Sequence, residues 1–364
     1  MGFKKSRLRE PFTLRLRRNP SKLTSHRDVT ANSARDLTCQ LQRRLDAHNA
    51  RIPQSWRILE RNVSLDASQV KGGGTFGKVI VGSYVCPIPG ENGRSQVVDA
   101  AVKMIQRRDI KNTPIETFNT SFLNELKIGM LADSDYVVKT YGGYFTRVDG
   151  YHTGVIMQER AWCSLDKYLH SSGPATITLQ ERVRIGVSCL GIAAYLRHQL
   201  RIVHNDVKAN NVLVFNGGGV IKLADFGMAV NLRRGDIFAD PPRPNNLNPA
   251  RDTRAWTAGK WWRNSAACSA YADESVDIFA FTFLIVEVLF CDDSNIVRFV
   301  RQQKCLPPIS TVTAALKRIA RGDVPPDVVR PLYEFINGII EERQPVVSAE
   351  KFKTLLSELL GYAQ

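Results

Sequence analysis

The sequence predicts an α+β protein of two lobes: a small antiparallel β lobe with one main helix, then a larger, mostly helical lobe. Three observations predict it. Strand-like runs separated by turn residues recur from Val63 to Met157, interrupted by one helical stretch, Thr117 to Leu131. From Leu165 onward the periodicity becomes helical. Between helical stretches of the second lobe, two short apolar runs, Val212-Leu213-Val214 and Val220-Ile221-Lys222-Leu223, flank Asn216-Gly217-Gly218-Gly219 and read as a hairpin. That ribbon gathers Asp206, Asn211 and Asp225 at one end, with Lys208 among them. Three oxygen-bearing side chains and a lysine suit a magnesium-phosphate group better than a protein core.

Composition narrows the classes. A chain of 364 residues with 43% hydrophobic residues is long enough for two core-bearing units. Its seven cysteines are scattered and odd in number, without a CxxC pair, which argues against a disulfide framework or zinc site and for a reducing intracellular compartment, cytoplasm or nucleus. Most are expected to be small buried hydrophobes. The first 20 residues hold no apolar core segment, so no secretory signal is read. The apolar run Ile278 to Cys291 is only 14 residues long and contains Glu287, as expected of a buried core helix. The net charge of +15 is uneven, because residues 1–57 hold 14 Lys/Arg against 4 Asp/Glu.

Residues 1–57 read as a basic, largely disordered tail. Leu14-Arg15-Leu16-Arg17-Arg18 is a candidate for nuclear import or nucleic-acid contact, and a solvated arm without a dedicated partner is the plain alternative. Met1-Gly2-Phe3-Lys4-Lys5-Ser6 fits the loose myristoylation pattern, but bulky Phe3 beside the acceptor glycine argues against it, and membrane attachment is not expected. From Ser33, Leu37, Leu41 and Leu45 repeat every four residues and predict one short amphipathic helix. Folded structure is expected from near Trp56, with a first lobe over 58–157 and a second over 158–364.

Gly72-x-Gly74-x-x-Gly77-x-Val79 lies between two β-rich runs. The glycines therefore sit on a hairpin, not at the strand-to-helix turn of a dinucleotide-binding crossover. A glycine hairpin lets backbone amides approach phosphate oxygens, while an ordinary turn is the bland alternative. The third strand, Val97 to Ile105, carries Lys103, a costly residue in an apolar strand unless an anion pairs with it. Glu125 on the following helix is the partner it offers; Glu116 is the alternative, but it sits at the helix start only 13 residues from Lys103. Tyr136 to Tyr141 and Gly154 to Met157 read as the remaining strands. Leu165 to Leu169, Leu179 to Gln199 and the apolar Val276 to Phe290 read as helices, with more amphipathic helices over 296–360.

Taken together, residues 58–360 resemble the eukaryotic-type protein kinase catalytic domain, of the Ser/Thr-like branch. Each motif alone is weak; five in the family's order are specific. The resemblance implies ATP with Mg2+ or Mn2+, a protein Ser or Thr substrate, and a monomer. It places Gly72, Gly73, Gly74, Thr75, Phe76 and Gly77 over the ATP phosphates, and Lys103, paired with Glu125, on the α/β-phosphates. Val79, Ala101 and Leu213 would sandwich the adenine. Gln158, Glu159 and Arg160 would form the hinge, and Met157 would line the back of the pocket. Asp206 would accept the hydroxyl proton, Lys208 would neutralise the transferring group, and Asn211 and Asp225 would hold the metal. His204 is expected to be structural. Asp277 would anchor the catalytic loop.

Several positions depart from the family. Asn205 replaces the arginine that pairs with a phosphorylated activation loop, which predicts independence from that phosphorylation. Lys260-Trp261-Trp262-Arg263-Asn264-Ser265-Ala266 stands where the family has roughly W-Y-x-A-P-E, so Ala266 replaces a Glu and leaves Arg343 without its family partner. Gly259 falls on a bracing threonine, for which Thr257 is the substitute. Gly129 falls on a bulky lobe-bridging residue, for which Met130 is the substitute. The long segment Asp225 to Ala266, with Pro241-Pro242-Arg243-Pro244-Asn245-Asn246 in its middle, reads as a loop. A pseudokinase or scaffold binding through that segment is the main alternative. Retention of Lys103, Glu125, Asp206, Asn211 and Asp225 weighs against it. The hinge and the Asp-Val-Lys loop weigh against a small-molecule kinase.

Overall fold

Runs of β-branched and aromatic residues from Val63 to Glu159 build a five-stranded antiparallel sheet with the order β1-β2-β3-β5-β4. Its strands are β1 (Val63–Gly74), β2 (Gly77–Pro87), β3 (Ser95–Gln106), β4 (Thr140–Val148) and β5 (Tyr151–Glu159). The computed structural model describes residues 31–74, 77–87, 95–106, 114–171, 177–231, 275–341 and 349–362. The basic stretch 1–30, Thr75, Phe76, the connector 88–94, the segment 232–274 with Thr257, Gly259, Ala266 and Cys268, and Arg343 lie outside the described residues.

One helix, α2 (Ile115–Leu131), crosses one face of the sheet. Phe118, Phe122 and Leu126 recur at helical spacing and pack with Ile105, Phe145 and Ile156. The other face buries Ala100, Val102, Met104, Tyr144, Val155 and Met157 beneath Ile58. Strand alternation assigns the two sets.

The fourth strand differs from the expected Tyr136 to Tyr141. It begins at Thr140, and Val137 and Val138 instead join the helical lobe, where Val137 bridges Leu223 and the Val138 N–H donates to the Leu223 carbonyl at 2.9 Å. The Gly142-Gly143 pair lies inside the strand. Gly142 has φ +141°, and a Cβ there would sit 2.3 Å from the Trp56 carbonyl oxygen. Glycine is required because the 56–58 segment lies against this edge, with Arg57 bridging Gly143 and the Ile58 N–H donating to the Gly143 carbonyl at 3.2 Å.

Residues upstream of Trp56 also pack on this lobe. Helix α1 runs Ala31–Asn49, 19 residues where a short helix is expected. Leu45 packs against the cluster of α2 and the sheet, and Ile52 is buried within it.

The helical lobe begins with β6 (Cys163–Ser164), α3 (Leu165–Ser171) and α4 (Leu179–Tyr195). Thr178 caps α4 by accepting from the Glu181 N–H at 3.2 Å. A π-helical turn, Leu196–Leu200, leads to β7 (Ile202–Val203). The expected ribbon forms from β8 (Val212–Phe215) and β9 (Val220–Leu223), with Phe215 opposite Val220. After it come β10 (Val230–Asn231), then α5 (Ser275–Leu289), α6 (Ser294–Gln303), α7 (Ile309–Ala320), α8 (Pro326–Ile340) and α9 (Ala349–Glu358). Helix α5 is buried along its length from Asp277, as expected of an apolar axis, and Glu287 pairs with Arg301 at 2.8 Å. Among the described residues no helix is long and apolar enough to cross a membrane. Of the six described cysteines only Cys189 is fully buried, its thiol pushed up to about 12 by burial; Cys39 is exposed and the others are half-buried, against expectation.

Gly142→Ala combines a left-handed backbone with a backbone clash and is expected to cost about 2–4 kcal/mol of stability. Gly150→Ala, with φ +81° but open space around its Cβ position, is expected to cost about 1 kcal/mol. Urea unfolding midpoints of the two variants check the difference.

Candidate active site

A lysine in the middle of an apolar strand needs an anion, and Lys103 has two. Its Nζ lies 2.5 Å from Glu125 Oε1 on α2 and 2.8 Å from Asp225 Oδ1, just beyond β9. Glu116 is not the partner; it pairs with Arg51 at 2.6 Å on the surface. Burial alone pulls the Lys103 ammonium down, but Asp225 and Glu125 outweigh it and the net shift is upward. Burial dominates at Glu125 too and pushes its carboxyl up; Lys103 opposes the shift and Asp225 adds to it. At Asp225 burial pushes up, but the lysine wins and holds the carboxyl low. One cation between two carboxylates leaves the cluster one charge negative, a setting that attracts a further cation.

Asp225 is reached by an unusual backbone. It has φ 67° and ψ 71°, left-handed for a non-glycine residue, at the turn into Phe226–Met228. His204 supports this turn from below. Its Nδ1 accepts from the Asp206 N–H at 3.2 Å, which puts the ring proton on Nε2, where it donates to the Ala224 carbonyl at 3.0 Å. The ring is fully buried and stands edge-on to Phe226, so His204 is structural, as expected.

Asp277, opening the buried α5, accepts from the His204 N–H at 2.6 Å and the Asn205 N–H at 3.1 Å. These bonds set the loop that carries Asp206. Lys208 Nζ lies 3.0 and 2.8 Å from the two Asp206 carboxylate oxygens. Asn211 Nδ2 donates to the Asp206 carbonyl and to Oδ2, both at 2.8 Å. With its amide nitrogen so engaged, Asn211 keeps Oδ1 as its remaining polar atom. The Asn211 carbonyl accepts from the Ala224 N–H at 2.8 Å, tying this loop to the Asp225 turn.

A family model described as protein tyrosine and serine/threonine kinase matches residues 65–346. The chain belongs to this protein kinase family. Its sheet and helical lobe are the kinase's two lobes, and the ribbon lies in the second of them.

The remaining expected site residues of the kinase divide by strand face. Val79 pairs with Lys103, and Ala101 stands two residues before it, so all three share one face. Gly77 pairs with Gly74 across the glycine hairpin, and a Cβ on Gly77, at φ +146°, would lie 2.2 Å from the Met104 carbonyl oxygen. Gly72 and Gly73 pair with Val79 and Lys78 in the same hairpin. Leu213, on β8, packs partly against Val138 and Phe215.

The placement of Met157 is corrected. Met157 does not line the back of a pocket beside Lys103: it pairs with Val102 and is buried on the opposite face with Val155 and Tyr144. The residue on the Lys103 face is Gln158, which pairs with Ala101 and donates from Nε2 to Thr140 Oγ1 at 3.3 Å. Glu159 shares Met157's side of the strand. Its Oε1 accepts from Lys222 Nζ at 2.8 Å and from the Lys139 N–H at 2.7 Å, so its side chain ties the end of β5 to the ribbon.

Gly129 packs where a bulky residue is expected. A Cβ there would lie 2.3 Å from Thr140 Oγ1, so the helix and β4 approach too closely for a side chain. Met130 does not take over the bridging contact, because it packs with the sheet-side cluster. Ile128 does, joining Val137 and Phe226 in the core of the helical lobe.

Asp277→Ala leaves two loop N–H groups without an acceptor and is expected to cost about 2–5 kcal/mol, with loss of phosphotransfer. Asp277→Asn restores one acceptor oxygen and should recover part of the stability. Unfolding midpoints measured beside activity check the order wild type, Asn variant, Ala variant.

Proposed function

We propose that this kinase transfers the γ-phosphoryl group of magnesium-ATP to a Ser or Thr hydroxyl of a protein, without needing a phosphorylated activation segment. The observation that carries the reading is the joint placement of Lys103, Glu125 and Asp225 with Asp206, Lys208 and Asn211. Phosphoryl transfer asks for positioning and charge neutralisation, and these side chains supply both.

Lys103, held by Glu125, would anchor the α/β-phosphates beneath Gly72, Gly73, Gly74 and Gly77, with Thr75 and Phe76 completing that loop. Val79, Ala101 and Leu213 would enclose the adenine. The protein hydroxyl would hand its proton to Asp206, the carboxylate that Lys208 and Asn211 orient. Lys208 would face the charge of the transferring group. Mg2+ or Mn2+ would supply charge neutralisation of the phosphates, held by Asp225 and by Asn211 Oδ1. That donor set is all oxygen and carries excess negative charge, which fits a hard cation.

Lys208, two residues after Asp206, supports Ser/Thr over Tyr by its resemblance to that branch. Asn205 supports phosphorylation independence: it has φ 62°, and its Nδ2 donates to the Met228 carbonyl at 3.2 Å. A neutral amide thus ties the catalytic loop to the start of the activation segment, where an arginine would need a phosphate. The proposed setting is a monomer acting on proteins in the cytoplasm or nucleus, with Leu14-Arg15-Leu16-Arg17-Arg18 of the basic tail over 1–57 as the candidate import or nucleic-acid segment.

Transfer of labelled phosphate from magnesium-ATP to a basic protein, followed by phosphoamino-acid analysis, is expected to give phosphoserine and phosphothreonine. Asp206→Ala should lower the rate ~10²–10⁴-fold, and Lys103→Met should abolish it. Phosphatase treatment should leave wild-type activity intact. Wild-type transfer no higher than the variants', with ATP still bound, would falsify the enzyme reading.

A further inference from the structure

Helix α2 has to present Glu125 to Lys103, and its other end carries an unexplained polar contact. Asn119 lies six residues before Glu125 and is fully buried beside Phe118 and Phe122. Its Nδ2 donates to His48 Nδ1 at 3.0 Å, and its Oδ1 accepts from His152 Nε2 at 2.8 Å. One amide thus joins three elements: the end of α1, α2, and β5. These bonds fix His48 with its proton on Nε2 and place the proton of His152 on Nε2 as well. The rings of His48 and His152 are 4.9 Å apart, and His152 stacks on Phe145 at 5.1 Å.

The next residue locks α1 to the sheet. Asn49 Nδ2 donates to the Phe145 carbonyl at 2.9 Å, and its Oδ1 accepts from the Phe145 N–H at 2.8 Å. The side-chain amide thereby fills both backbone positions that an edge strand leaves open. Ile52, three residues on, inserts into the cluster that α2 shares with the sheet. The surface pair Arg51–Glu116 joins the same two segments but is exposed and adds little.

We propose that His48 and Asn49 act as positioning residues for phosphoryl transfer, clamping α2 against the sheet at the placement where Glu125 reaches Lys103. The clamp is supplied by the chain itself, through a segment that precedes the kinase match at residue 65. Asn119 is the receiving group on α2. Neither His48 nor Asn49 approaches the reacting atoms; each acts through the Glu125–Lys103 pair. The catalytic part of this inference rests on the kinase reading, whereas the state of Lys103 is open to a separate measurement.

The test uses the full chain. Amine-reactive labelling of Lys103, followed by mass spectrometry without nucleotide, reports whether the ammonium is held by its carboxylates and needs no enzymatic activity. His48→Phe keeps the ring but removes the acceptor, His48→Asn keeps an acceptor oxygen, and Asn49→Ala removes both bonds to Phe145. Lys103 is expected to label roughly fivefold faster in His48→Phe and Asn49→Ala, with kcat falling by a similar factor. Lys317 in the helical lobe should label at the wild-type rate, and His48→Asn should resemble wild type in both readouts. Unchanged Lys103 labelling in the two loss variants overturns the proposal. So does acceleration at Lys103 and Lys317 alike, which marks general loosening, or a His48→Asn variant as fast as His48→Phe. If Asn49→Ala does not fold, the two His48 variants decide alone, since each leaves the Asn49 bonds in place. Absent phosphotransfer in every protein, with the labelling pattern as expected, would instead count against the enzyme reading.

Discussion

The Lys103 ammonium, removed from water in a β-strand, is the constraint on which the rest depends. A buried cation without a partner is expensive, and one carboxylate held at fixed geometry relieves the cost only where its own desolvation is met. Here two carboxylates arrive from different parts of the chain, Glu125 from a helix of the small lobe and Asp225 from the turn after β9. The pairings work only while the sheet, α2 and the ribbon keep their mutual placement. The same electrostatics that hold the lobes together leave a net negative charge, so the structural tie and the charge of the proposed metal site have one origin.

The helical lobe solves the complementary problem of holding a loop in a shape that backbone propensity does not favour. Asn205 and Asp225 are both left-handed non-glycine residues, within one connected group of hydrogen bonds. Asp277 holds the loop's N–H groups, His204 connects Asp206 to Ala224, and Asn211 connects the loop to the Asp225 turn. Strain of this kind persists only where surrounding bonds over-determine it. Helix α5 supplies the rigidity, being buried from Asp277 onward in the largest apolar cluster.

The Asp206, Lys208, Asn211 and Asp225 constellation is legible in the sequence because its members are close in the chain and joined by a hairpin with strong turn residues. Lys103 and Glu125 are legible for another reason: a charge in an apolar strand and a charge on an apolar helix face call for each other. The end of β5 is less legible. Strand faces alternate residue by residue, so placing Met157 rather than Gln158 beside Lys103 is a one-residue slip that exchanges the two sides. The bulge between Thr140 and Gly142 in the neighbouring strand hides the register from simple alternation. The α1 clamp is harder still. Asn49 and Asn119 act through side-chain amides bonded to groups far away in sequence, and such bonds leave no period. The only local sign is Asn119 itself, a polar residue on the apolar stripe formed by Phe118, Phe122 and Leu126.

Gly129 gives that clamp a physical context. Where Gly129 of α2 meets the start of β4 the helix has no side chain at all, and Thr140 fills the space with a hydroxyl that also accepts from Gln158. The apolar link from α2 to the helical lobe passes instead through Ile128, one residue earlier, to the cluster containing Phe226. A helix tied to its neighbours at one end only is free to pivot about that end, and a pivot would carry Glu125 away from Lys103. Contacts at the opposite end, where Asn119 meets His48 and Ile52 fills the cluster, remove that freedom. The small residue at Gly129 and the docked segment upstream of the kinase match are therefore two parts of one arrangement, in which the orientation of α2 is set from its N-terminal half as well as from the junction of the lobes.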